Sequence, residues 1–159
     1  MKKIESFEVD HERLNRGVYV SRKDIVGDHV VTTYDIRMKR PNREPVMNTG
    51  VMHAIEHLGA TFLRDHEIYS HNTIYFGPMG CRTGFYLILK GQLSSMDIVP
   101  IIHEMFTFIA VFDDEIPGAD PVSCGNYQDM DLKGAKLEAS VFLNETLEKM
   151  TSENLIYPE

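Results

Sequence analysis

Basic residues are scarce in this chain: 16 Lys and Arg against 24 Asp and Glu leave a formal net charge of −8. A nucleic-acid groove or an anionic membrane surface needs clustered Lys and Arg, so this balance argues against both partners. Long apolar runs are missing as well. Met1-Lys2-Lys3 carries the charge of a signal-peptide start, yet Ile4-Glu5-Ser6-Phe7-Glu8-Val9-Asp10 contains no apolar stretch of the required length. No window reaches the length of a membrane-spanning helix, so a soluble, cytoplasmic protein is expected. Cysteine is nearly absent, Cys81 and Cys124 being the only two. In a reducing compartment, separated thiols are more often buried, metal-bound or catalytic than disulfide-linked. Repeats, low-complexity tracts and linkers are lacking too. The expectation is one domain over residues 1–159, which at 43% hydrophobic and 25% charged residues has enough apolar content for a core.

Residues 17–24 and 29–37 are rich in β-branched and aromatic residues and flank Gly27-Asp28, which predicts a hairpin. Arg40-Pro41-Asn42-Arg43-Glu44-Pro45 reads as a loop. Thr49 is the expected cap of a helix reaching about Asp65, with Val51, Ile55, Leu58 and Phe62 at spacings of three and four. Two strand-like runs follow, Asn72 to Gly77 and Thr83 to Leu89, joined by a tight Gly-Pro-Met-Gly-Cys segment. Ser94 and Asp97 start an apolar helix through Phe112, its first turns bent at Pro100. A loop carrying Cys124 precedes a last helix from about Leu132 to Met150, with Leu137, Val141 and Leu147 on one stripe. Strands linked at hairpin length and intermixed with helices predict an α+β fold, an antiparallel sheet packed against helices in a single compact domain.

His53-Ala54-Ile55-Glu56-His57 is an H-x-x-E-H sequence inside the most regular of these helices. Residues four apart share one helical face, so two imidazoles there can converge on one cation. Glu56 lies beside that face, where a carboxylate can act as a general base. Two histidines capping or hydrogen-bonding on a solvated face is the plainer alternative. A catalytic zinc-like site takes a third protein ligand and leaves one position open. Cys124 is a candidate for that ligand, on a loop where Gly125 permits a sharp turn, although an ordinary buried thiol fits it too. His11, His29, His66, His71 and His103 compete, His103 reading as a core histidine and His66 and His71 as surface residues. In Gly77-Pro78-Met79-Gly80-Cys81-Arg82-Thr83-Gly84, a glycine-rich turn either exposes backbone N–H groups and a Cys81 thiol suited to proton transfer, or packs the Cys inward.

These blocks join Glu5-Ser6-Phe7-Glu8-Val9-Asp10-His11, Tyr34-Asp35-Ile36-Arg37, Cys124-Gly125 and Leu132-x-Gly134-Ala135-Lys136 along nearly the whole chain. In this order they resemble the S-ribosylhomocysteine lyase family, the LuxS-type enzymes. The resemblance implies a thioether-cleaving lyase that converts S-ribosylhomocysteine to homocysteine and 4,5-dihydroxy-2,3-pentanedione, the precursor of autoinducer-2. It implies metal ligation by His53, His57 and Cys124, acid/base roles for Glu56 and Cys81, and substrate contacts from Ser6, His11 and Arg37. It further implies a homodimer with sites at the subunit interface and one divalent ion per subunit, often Fe²⁺, with Zn²⁺ or Co²⁺ able to substitute. One departure stands out: Tyr75-Phe76-Gly77 occurs where the family commonly has Asp-Ile-Ser, so Tyr75 replaces an acidic residue expected near the ribose. Inverted zinc peptidases also use H-x-x-E-H, but with a downstream Glu as third ligand. A metal-stabilised binding domain without activity is the non-enzymatic rival.

Overall fold

The structure, a computed structural model, describes Ile4 and residues 7–158. Four antiparallel strands and three helices form two layers: β1 (Gly17–Val26), β2 (His29–Arg37), α1 (Thr49–Asp65), β3 (Thr73–Pro78), β4 (Gly84–Lys90), α2 (Ser95–Val111) and α3 (Leu132–Glu145). The sheet order is β1-β2-β4-β3. The predicted hairpin is β1-β2, with Gly27 at φ +60° in its turn. The second predicted pair is β3-β4, each strand shifted one residue toward the C-terminus of the expected range.

Alternation along the strands decides what each face carries. Val18, Ile36, Phe85 and Phe76 fall on the face that joins the core, where they meet Val51, Ile55 and Leu58 of α1, Ile102 and Met105 of α2, and Phe142 of α3. Tyr19, Asp35 and Tyr86 stand opposite one another on the other face, with Arg37 two residues along from Asp35. Gly59 lets α1 lie directly on β3, since a side chain there would run into the Phe76 ring.

Three details of the helices differ from the sequence expectation. Asn48, not Thr49, caps α1: its Oδ1 accepts the Val51 N–H at 2.8 Å, and Thr49 is the first helical residue. The helix α2 carries the expected Ser94–Asp97 capping box and runs on through Pro100. The last helix stops at Glu145 rather than near Met150, and 3-10 turns follow at Leu147–Lys149 and Ser152–Asn154. Its buried residues are Ala135, Ala139, Phe142 and Leu143; of the expected stripe Leu147 is buried and Val141 half-buried, while Leu137 is 64% exposed. Small alanines make the actual contact because α3 packs close against its neighbours. Among the described residues, no helix is long and apolar enough to cross a membrane.

Candidate metal centre

Helix α1 presents His53 and His57 on one flank, half-buried beside its apolar stripe, with ring centroids 4.8 Å apart and edge to face. The segment between α2 and α3 folds back over them. Asp120 organises it: its carboxylate accepts the Val122 and Ser123 N–H groups, and its carbonyl accepts the Cys124 N–H at 3.0 Å. Cys124 Sγ thereby comes to 3.4 Å from His53 Nε2. Ligand atoms of His53, His57 and Cys124 all lie within 4.8 Å of one another.

The donor set fits a divalent ion on two counts. His53 Nδ1 faces the Asp129 carbonyl at 2.9 Å and His57 Nδ1 faces the Pro117 carbonyl at 2.8 Å. Each Nδ1 therefore holds the ring proton, leaving the Nε2 lone pair free to coordinate, the arrangement typical of metal-ligating histidines. Tetrahedral coordination at ordinary metal–nitrogen and metal–sulfur lengths also separates nitrogen and sulfur by about 3.5 Å, close to the observed Cys124–His53 approach. Gly118 turns this loop at φ +73°, and Gly125 opens the expected turn over 125–128 without needing a positive φ. A Cβ on Gly118 would sit 3.3 Å from His57 Nδ1.

Glu56 Oε2 is 3.8 Å from His57 Nε2. His53 and Glu56 line one side of an open cavity of about 400 Å³; Met79, Gly80 and Arg82, from the turn between β3 and β4, line the other. That volume is in the range of small-molecule sites. Cys81 belongs to this turn and is exposed, so the inward-packing alternative is not the one adopted. Its sulfur is 3.1 Å from Thr83 Oγ1 and 3.9 Å from Arg37 Nη1. Burial raises the Cys81 pKa, but hydrogen bonds from Thr83 and the charge of Arg37 outweigh it and hold the thiol below its ordinary value.

Arg37 is 2% exposed, its fork engaging both oxygens of the equally buried Asp35 while Nη1 donates to Thr83 Oγ1 at 2.6 Å. The remaining sequence candidates scatter. Ser6 lies outside the described residues. His11 bonds the Val9 carbonyl at 2.8 Å, and among the described residues no hydrogen bond or ring contact ties it to the three ligands. His66 caps the end of α1, its Nδ1 accepting the Ile68 and Tyr69 N–H groups, and His103 is half-buried beside Thr107. Tyr75, 49% exposed on β3, folds its ring over Gly77 and does not line the cavity. Thr83, Asp35 and the Pro117 and Asp129 carbonyls were not singled out from the sequence. The Asp35-x-Arg37 spacing on a strand was a signal for the pair, whereas backbone carbonyls leave none.

A histidine-histidine-cysteine donor group on the flank of a helix, facing a thiol-bearing turn across a cavity, gives this α+β protein a site that could hold one metal ion. Comparison with known proteins narrows the class. A family model described as S-Ribosylhomocysteinase (LuxS) matches residues 4–153. The chain is 60% identical over 158 residues to an S-ribosylhomocysteine lyase of Clostridium beijerinckii, covering 99% of each chain. It is 58% identical to one of Phocaeicola vulgatus, over 99% of this chain and 98% of that one. It is 52% identical to one of Porphyromonas gingivalis over the full length of both. The chain belongs to the LuxS family.

Proposed function

We propose that this protein is a metal-dependent S-ribosylhomocysteine lyase, releasing homocysteine and 4,5-dihydroxy-2,3-pentanedione by carbonyl migration and β-elimination. The observation that carries the reading is the His53/His57/Cys124 donor group with Glu56 beside it, opposite the Cys81 turn. Full-length relatives that bear the lyase name support it. A cysteine in the third ligand position speaks against the peptidase alternative, which uses a glutamate there.

A divalent ion held by the three ligands, Fe²⁺ in the cell with Zn²⁺ or Co²⁺ as substitutes, supplies Lewis-acid stabilisation of negative charge on a sugar oxygen. The protein's own groups move the protons. Cys81, with its lowered pKa, takes the proton from the carbon beside the sugar carbonyl and returns one to the neighbouring carbon, which walks the carbonyl along the chain. Once the carbonyl stands at C3, the C4 proton is acidic. Glu56 accepts it, the C4–C5 double bond forms, and the C5–sulfur bond breaks with the electron pair leaving on sulfur. The thiolate picks up a proton and the enol becomes the dione. Reactant and products balance without an oxidant, a reductant or net water. Arg37 favours the Cys81 thiolate, and Ser6 and His11 hold the substrate. We assign the active species to a cytoplasmic homodimer with sites at the subunit interface, a location that keeps both thiols reduced.

The test is thiol release from S-ribosylhomocysteine by anaerobically prepared, iron-loaded protein. Stoichiometric homocysteine is the expected product. A fully metallated protein that releases none would reduce the chain to a binding domain and end this reading. Sedimentation of the same sample gives the oligomeric state.

A further inference from the structure

The C-terminal segment crosses the sheet face opposite the helices, and one of its residues is wired to the Cys81 turn. Tyr157 stacks on Tyr19, with ring centroids 4.9 Å apart and planes 16° from parallel, and its hydroxyl donates to Asp35 Oδ2 at 3.0 Å. Asp35 in turn grips Arg37 by both oxygens. Arg37 Nη1 reaches Thr83 Oγ1 at 2.6 Å and Cys81 Sγ at 3.9 Å. We infer that Tyr157 is a positioning residue for the reactive thiol, acting through Asp35 and Arg37 to favour the Cys81 thiolate.

The direction follows from charge. The buried Asp35 holds the Arg37 guanidinium, and the Arg37 charge is among the causes that favour the Cys81 thiolate. A hydrogen bond donated by Tyr157 disperses part of the carboxylate charge and fixes its oxygens on the guanidinium, so the net field at Cys81 stays positive. Burial and then Asp35 push the Tyr157 hydroxyl far above its ordinary pKa, so it remains a donor throughout the working range. Other titratable or charged groups lie around this turn: Tyr86 from β4, which feels the Cys81 charge, Arg82 next to Cys81 in the chain, and Glu56 of α1, which lines the cavity with Arg82. None of these touches Tyr157 among the described contacts.

Three full-length chains test the inference: the unchanged protein, Tyr157→Phe and Tyr19→Phe. The readout is the pH dependence of iodoacetamide alkylation, quantified on the Cys81 peptide by mass spectrometry. The phenylalanine at 157 keeps the stacking on Tyr19 and removes the hydroxyl, with its bonds to Asp35 and Ser21. Its alkylation midpoint is expected to move up in pH, slowing the reaction near neutrality by about two- to threefold, a fraction of one charged hydrogen bond. Tyr19→Phe removes another anchor of the tail, the hydroxyl bonded to the Asn15 and Glu153 carbonyls, without taking a donor from Asp35. It is expected to leave the midpoint in place. An unmoved midpoint in Tyr157→Phe, or an equal shift in Tyr19→Phe, overturns the inference. The consequence for turnover rests on Cys81 serving as a proton shuttle, but alkylation reads the thiol itself. A failure of the lyase reading would therefore appear in the thiol-release assay and not here.

Discussion

Adding one methyl group at Gly118 should weaken metal binding without replacing a candidate ligand. The residue sits at φ +73°, where an L side chain costs about 1–2 kcal/mol. Its added Cβ would stand 3.3 Å from His57 Nδ1, 3.4 Å from Cε1 and 3.8 Å from the Ser123 Cβ. The first two contacts are tight and both press on the imidazole, so the ring must tilt or the loop must withdraw from it. Either movement lengthens the His57 hydrogen bond to the Pro117 carbonyl, now 2.8 Å, that fixes the ring. Disturbing such a partner typically weakens metal binding by about 10- to 100-fold. The assay is competition for Zn²⁺ against a chromophoric chelator, run on Gly118→Ala and on Gly125→Ala as control. Gly125 adjoins Cys124, but a Cβ there meets nothing within 4 Å, so its affinity should stay within about twofold of the unchanged protein. A Gly118→Ala protein that holds metal as tightly as the control would refute the claim that this glycine seats His57.

His53→Ala and Cys124→Ala should each lower bound metal per subunit sharply by atomic spectroscopy, and unchanged content in either would remove that residue from the ligand set. Cys81→Ala should keep its metal yet lose thiol release by at least about 100-fold, so near-normal turnover would take proton transfer away from this thiol. For Glu44, burial opposes ionisation, but bonds from Arg16 and the Arg40 backbone prevail and bring the carboxyl to about 2. A folded-state value below the unfolded one gives stability that is complete above about pH 4.5 and is lost as pH falls toward 2. Discounted for solvent screening this is about 1–2 kcal/mol, so Glu44→Gln should lower the melting temperature near neutrality and converge with the parent in acid.

The pairing of the two candidate histidines was legible because helical spacing is a local property: His53 and His57 share a face whatever the rest of the chain does, and the apolar residues beside them mark the buried side. Hairpin β1-β2 was legible for the same reason, with the turn residues between two β-rich runs. The end of α3 was not. Thr146 leaves the helix at φ −127°, ψ −65°, with no Gly or Pro to announce it. The apolar Leu137 drew the stripe away from the alanines that pack. Family resemblance, rather than geometry, singled out Cys124 from the competing histidines, since a contact spanning 71 residues has no local signal. The link from Tyr157 to Asp35, 122 residues apart, was equally silent.

That span between Cys124 and His53 bears on the order in which the site is assembled. The two imidazoles are in place as soon as one helix forms, whereas the sulfur arrives only when a segment more than a hundred residues into the chain has been laid back across it. Closing so distant a contact is slow and entropically costly. A metal held by all three donors would therefore be captured late in folding. An ion taken up early would be held by nitrogen alone, free to exchange until the sulfur closes over it.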